Sequence, residues 1–312
     1  MRDVSLHRLT HLVIGVPNLD EAAKFYTDFG LTPVQGPDVA TERRFGTVDG
    51  GEQLILVHTP IRRLVEIGVA AQDPDDLHSI QSRLARLDIE SSMDGAELAA
   101  VEPATGIAVK IAVAEPLQQK WQVAEQNYPA DIRRPDVRAP ALYREARVRP
   151  RKLGHVVFGS TDYNTSKRFF MEGLGFRISD EVQDIGAFMR CSPDHHNVLV
   201  QAAPVTHLHH TSWEVEDIDE IGRGAQDLLA EHPERHVWGI GRHWIGSNFF
   251  WYFRDPAGNM TEYYSDMDEI IDDQIWEPGV WGLDKSPNHW GPPMPPSMIK
   301  PDDLAELMAG LH

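Results

Sequence analysis

Two stretches of this chain repeat one another, and that repeat limits the fold more than any other feature. Residues 9–31, LTHLVIGVPNLDEAAKFYTDFGL, and residues 153–176, LGHVVFGSTDYNTSKRFFMEGLGF, each open with a His in a short β-favouring run. Each then passes through a polar turn into a helical stretch ending in an aromatic pair, and closes on a turn containing Gly. From the His to the first aromatic is 14 residues both times, His11 to Phe25 and His155 to Phe169. Self-similarity of this kind marks a duplicated supersecondary unit that buries its apolar face against a neighbouring copy.

The segments after the two copies are alike as well. GTVDGGEQLILVHTP and IGAFMRCSPDHHNVLVQAAP both read as strand, turn, strand. VEIGVAAQDPDDLHSIQSRLARL and HTSWEVEDIDEIGRGAQDLLAEH then each lead a new strand into a second helix. Each half is therefore two βαβββ modules, and the expected class is α+β. The first module pair is placed at 1–115 and the second at 151–270. Residues 116–150, rich in Pro, Arg and Gln, suit a linker lying over the surface. Residues 271–312 form a Trp- and Pro-rich tail, irregular apart from a short helix near DDLAELMAG. With 312 residues, 41% of them hydrophobic, the chain is long enough for two cores.

Composition removes several functions. A formal net charge of −19 opposes binding to nucleic acid through a basic surface. The single Cys, Cys191, permits no intrachain disulfide and reads as a small buried residue. The stretch MRDVSLHRLT lacks the apolar run of a signal peptide, and nothing approaches the roughly 18 apolar residues of a membrane helix. A cytoplasmic protein acting on small molecules, assembled as a homo-oligomer, is expected.

The paired modules resemble the vicinal oxygen chelate fold. Two tandem halves at this length resemble the two-domain extradiol ring-cleaving dioxygenases, of the 2,3-dihydroxybiphenyl and catechol 2,3-dioxygenase type. The resemblance covers about residues 5–270 and leaves the tail unmatched. It implies two cup-shaped mixed sheets, with a metal held in one cup by side chains from three strands. His155 in LGHVVF, His210 opening HTSWEV and Glu262 in MTEYY stand at the matching points. Strand residues alternate faces, so one side chain from each strand can enter a common cavity. Two imidazoles and one carboxylate on one face of a metal suit non-haem Fe(II), with Mn(II) the alternative, and leave positions open for substrate and dioxygen. Taken singly, each has an ordinary structural reading, a hydrogen-bonded strand His or a solvent-facing carboxylate. The N-terminal equivalents read His11, Glu66 and Lys110, and an ammonium is a poor ligand.

The stretch GRHWIGSNFFWYFRDPAGNMTE resembles the family's signature, with His243, Tyr252 and Glu262 on its His, Tyr and Glu. In PDHHNVLV, His196 falls on a further family position, on the strand before the second ligand; His195 takes that place if the register slips by one. The resemblance implies that Tyr252 and His243 hydrogen-bond the substrate oxygens, and that His196 accepts and later returns a proton. The implied reaction is extradiol cleavage of a catechol by dioxygen. His207 and His209 flank the ligand strand, either solvent-facing or behind the ligands, and His232 and His236 fall in a loop without a role. Phe188, Trp213, Trp238, Phe249 and Trp251 supply aromatic surface, alternate ones facing the cup, which suits an apolar or aryl substituent next to the diol. No Arg can be set against a substrate carboxylate. Two other readings share the fold: a redox-neutral metal-dependent lyase or isomerase, which draws four ligands from paired modules, and a metal-free small-molecule binder, which has no use for the three ligands together.

Overall fold

The computed structural model describes residues 4–36, 41–120, 124–285 and 287–310. Residues 1–3 of the N-terminal stretch and 121–123 of the expected linker lie outside it. The first half runs β1 (Leu6–Val16), α1 (Leu19–Asp28), β2 (Thr32–Val34), β3 (Glu42–Thr47) and β4 (Gly51–His58), then β5 (Arg63–Ala71), α2 (Pro74–Arg86), β6 (Ser91–Asp94), β7 (Glu97–Val101) and β8 (Ala108–Val113). The second half repeats the order with β9 (Lys152–Ser160), α3 (Tyr163–Arg168), β10 (Arg177–Val182), β11 (Gly186–Arg190) and β12 (Val198–Ala202). It continues with β13 (His207–Glu214), α4 (Ile218–Glu231), β14 (His236–Arg242), β15 (Phe249–Arg254) and β16 (Met260–Ser265). This is the α+β architecture of tandem βαβββ modules. Among the described residues no helix is long and apolar enough to cross a membrane.

The repeated motif explains the repeated geometry. Its polar turn is a helix cap: Asn18 accepts from the amides of Asp20 and Glu21, and Asp162 from that of Thr165. These caps satisfy donors that a helix start leaves free. The aromatic pairs at the helix ends, Phe25 and Tyr26, Phe169 and Phe170, are at most 1% exposed. Burying each ring contributes about 1.5–3 kcal/mol. After Phe169 the α3 helix widens into a π turn through Leu174, ended by the left-handed Gly175. The two halves share one core, with the Phe29 ring stacked 4.1 Å from that of Tyr263 and the Tyr263 hydroxyl donating to the Phe29 carbonyl.

The first half forms an eight-stranded sheet in the order β2-β3-β4-β1-β5-β8-β7-β6. The second forms a nine-stranded sheet, β14-β15-β16-β13-β9-β12-β11-β10-β17. Its last strand, β17 (Gly279–Trp281), comes from the segment expected to be irregular and pairs in parallel with β10. The expected short helix is α5 (Leu304–Ala309). Just before it, Asp303 is gripped by Arg62 of the first half, at 2.6 and 2.7 Å, while the same guanidinium donates to the Leu208 carbonyl of β13 at 2.8 Å. The tail is therefore strapped back across the second sheet.

Candidate metal centre

Strand register builds the centre. Tyr252 on β15 lies opposite Glu262 on β16, Glu262 opposite Ser212 on β13, and Ser212 opposite His155 on β9. One row across four strands thus carries the phenol, the carboxylate and one imidazole, with the short Ser212 side chain at its middle. His210 lies two residues from Ser212, on the same face. It sits inside β13 rather than at its start, next to a register shift between Leu208 and His210.

His155, His210 and Glu262 converge with their ligand atoms all within 4.8 Å of one another. Nε2 of His155 is 3.2 Å from Glu262 Oε2 and 3.4 Å from Nε2 of His210, which is 3.6 Å from the same oxygen. Ligands about 2.1 Å from one cation and at right angles stand about 3.0 Å apart, so this triangle suits one face of a single ion. Glu262 Oε2 is buried without a hydrogen-bond partner, a costly state that a bound cation would relieve. Burial alone would raise the Glu262 carboxyl; the imidazoles of His155 and His243 overcome that and hold it below the usual carboxylate range. Burial lowers His210 well below its ordinary value, leaving the neutral ring that a ligand needs.

The triangle lies at the bottom of a cavity of about 140 Å³. A space of about 150 Å³ holds benzene, so one aromatic ring is accommodated. His243 and Tyr252 stand on one side, joined by a 3.0 Å hydrogen bond, with the Nδ1–H of His243 donating to the Pro287 carbonyl at 2.6 Å. Burial, followed by the charge of Glu262, raises Tyr252 well above its ordinary value, so it stays a neutral phenol. His196 stands on the other side, its ring 4.2 Å from that of His155, and burial pushes it well below its ordinary value. His195 lies behind it, fully buried and bonded to Asp180. Both sit in the loop before β12, not on that strand, so the choice between them rests on loop conformation rather than on pleat alternation.

Of the five aromatics expected near the cup, Phe188 and Trp238 line the cavity. Trp213 belongs to the hydrophobic core, Phe249 lies under the Arg242 guanidinium and Trp251 donates to His236. Strand alternation sends them to other faces. His207 and His209 are buried, which removes the solvent-facing reading, while Cys191 is buried and unpaired. His236 accepts that bond on β14 and His232 pairs with Glu234, neither of them lining the cavity.

Sequence reasoning missed three contributors. Asn248, fully buried, donates to Glu262 Oε1 at 3.3 Å and lines the cavity. Ser212 occupies the middle of the ligand row. The tail supplies Leu283, Pro287, Met294, Met298 and Ile299 to the cavity wall. The Trp/Pro composition of the tail was the one available signal, since a solvent-facing linker has little use for such residues. Among the described residues no Arg or Lys lines the cavity.

Comparison with known proteins places this geometry in a family. The family described as Glyoxalase/Bleomycin resistance protein/Dioxygenase superfamily matches residues 8–94 and 152–263. The chain is 29% identical to metapyrocatechase 2 of Cupriavidus necator, over 95% of this chain and 92% of that protein. It is 25% identical to a manganese-dependent 2,3-dihydroxybiphenyl 1,2-dioxygenase of Geobacillus genomosp. 3, over 92% and 94%. Its fold is similar to that of the Mn(II)-bound glyoxalase from Novosphingobium aromaticivorans, with a TM-score of 0.76 at 23% identity over 95% and 94% of the two chains. An extradiol ring-cleaving dioxygenase from B. fuscum superposes with a TM-score of 0.74 at 20% identity, over 95% and 82%.

Proposed function

We propose, since the chain belongs to the Glyoxalase/Bleomycin resistance protein/Dioxygenase superfamily, that it is an extradiol dioxygenase opening the ring of a catechol with an apolar or aryl substituent next to the diol. The observation that carries this reading is the ligand triangle of His155, His210 and Glu262 at the bottom of an apolar, ring-sized cavity edged by His196, His243 and Tyr252. The second module pair, 151–270, performs the chemistry, and the first, 1–115, serves as its scaffold. Relatives named as a metapyrocatechase and as a 2,3-dihydroxybiphenyl 1,2-dioxygenase, each matched over most of its length, support the reaction class.

His155, His210 and Glu262 hold Fe(II), with Mn(II) the alternative. When bound, the ion would supply Lewis acidity toward the two catechol oxygens. His196 accepts a proton from one catechol hydroxyl, which its neutral ring can do, and returns it as the ring opens. Tyr252 turns its single O–H from the bare Nε2 of His243, where it rests, to a substrate oxygen. The apolar walls keep water from the opened ring. Both atoms of dioxygen enter the product, the carbon–carbon bond beside the diol breaks, and a ring-opened semialdehyde or its keto analogue forms.

Substrate preference tests the pocket. The iron-loaded enzyme is to be compared on catechol, 3-methylcatechol, 2,3-dihydroxybiphenyl and a carboxylated catechol. We expect the highest kcat/KM on an apolar 3-substituted ring. Preference for the carboxylated substrate contradicts the apolar pocket, and a colourless dicarboxylic product contradicts extradiol cleavage.

A further inference from the structure

Two tandem histidine pairs flank the centre and are built alike. In the first, His195 Nδ1 faces His196 Nδ1 at 3.1 Å and His195 Nε2 faces Asp180 Oδ2 at 3.1 Å. In the second, His209 Nδ1 faces His210 Nδ1 at 2.7 Å and His209 Nε2 faces the Met298 carbonyl at 2.8 Å. The inner ring of each pair borders the cavity; of the outer rings, His209 borders it as well and His195 does not.

Hydrogen-bond chemistry leaves these pairs little freedom. A backbone carbonyl and a carboxylate oxygen only accept, so Nε2 of His209 and of His195 must carry the proton. In a neutral outer ring Nδ1 is then a bare acceptor. The facing Nδ1 of the inner ring must donate to it, which leaves the inner Nε2 bare. We propose that His209, and His195 with Asp180, are positioning residues that lock the inner imidazoles as Nδ1–H tautomers, and that the C-terminal segment sets both locks.

The segment's part is direct in each case. Met298 supplies the carbonyl that fixes His209. Asp180 has its second oxygen, Oδ1, bound by the Gly279 amide of β17 at 2.6 Å, and the Trp276 ring packs 5.4 Å from that of His195. A register shift at His209 brings neighbouring side chains of one strand to the same side, where pleat alternation would part them. The consequence for His210 is a lone pair aimed at the ligand triangle. For His196 it is a bare Nε2 facing the cavity. That His196 uses this nitrogen to accept a substrate proton rests on the proposed function; the tautomers themselves do not.

The replacement Asp180→Asn tests the lock without changing its shape. The Gly279 amide still needs an acceptor, so the new carbonyl oxygen turns to it and the amide NH2 turns to His195 Nε2. His195 must then carry its proton on Nδ1, and His196 on Nε2. Nitrogen-15 spectra of the metal-free, histidine-labelled protein read these states directly. We expect His196 and His210 as Nδ1–H and His195 and His209 as Nε2–H in the parent, with the first pair inverted in Asp180→Asn. On the iron-loaded enzyme, Asp180→Asn should lower kcat at least tenfold with metal affinity unchanged. His209→Leu should weaken Co(II) binding to the apo protein by about 10–100-fold, the usual effect of losing a ligand's hydrogen-bond partner. A purely structural role would instead lower melting temperature, metal affinity and kcat together in both variants. An Nε2–H proton on either inner ring of the parent, or unchanged tautomers in Asp180→Asn, overturns the proposal. If no catechol is turned over, the proposed function fails while the spectra still decide the lock.

Discussion

At the residue scale, the assignments divide into ligands and proton carriers, and the two respond differently to substitution. Replacing His155, His210 or Glu262 by Ala should leave less than a tenth of the parent's iron after dialysis, measured by elemental analysis; full metal and full activity in all three variants would place the site elsewhere. His196→Asn should retain metal and lose about a hundredfold or more in kcat, the usual contribution of a positioned acid–base group. His195→Asn should lose less, because His195 does not line the cavity and bears on it through His196, and a crippled His195 variant beside a healthy His196 variant would reverse the roles. The convergence of His155, His210 and Glu262 was legible because each falls at a fixed point of a repeated strand. Asn248 and Asp180 were not, since their importance comes from neighbours that only the folded chain supplies. Asp180 meets His195 across 15 residues of chain, and nothing in its local pattern marks it.

At the scale of elements, the tail departs most from what composition suggested. Read as an irregular appendage, it instead adds β17 to the sheet edge, walls the cavity and reaches three site histidines through Gly279, Pro287 and Met298. Pro and Trp carry no strand or helix periodicity, so its path could not be read from pattern. Its anchor is testable. Burial would raise the Asp303 carboxyl, but the Arg62 guanidinium holds it below its ordinary value of 3.8. The folded value being the lower one, the clamp's stabilisation is fully present above pH 3.8 and is lost as pH falls through the depressed value. Hydrogen exchange of residues 304–309, corrected for intrinsic rate, should therefore stay constant from neutral pH to about 5. Asp303→Ala should accelerate it at neutral pH, with a stability loss of about 1–2 kcal/mol, discounted for the partial solvation of the carboxylate. Unchanged exchange in that variant would show that the tail is held by something else.

On the scale of the whole molecule, one fold is used twice with unequal outcome. The first sheet repeats the second's order of elements, but its cup holds His11 bonded to Glu66 at 2.9 Å, with the Lys110 ammonium 3.4 Å from the other carboxylate oxygen. A fixed cation already sits where a metal would bind, so metal titration should saturate at one equivalent per chain. A second tightly held ion would contradict that reading of the first half. Duplication and the asymmetry between the cups were both legible, since they depend on residue types at repeated positions. The packing of the halves through Phe29 and Tyr263 was not, because nothing local distinguishes an aromatic that meets its own sheet from one that meets the other half. The central claim, that the second cup inserts both atoms of dioxygen into a catechol, is tested most directly by isotope labelling. The Fe(II)-loaded protein is mixed anaerobically with 2,3-dihydroxybiphenyl, ¹⁸O₂ is admitted, and the product is analysed by mass spectrometry at once, before its carbonyl oxygens exchange with water. We predict a yellow ring-opened acid carrying two labelled oxygens, with one dioxygen consumed per ring; a bound catechol that consumes no oxygen, or a product with one label or none, would contradict the account.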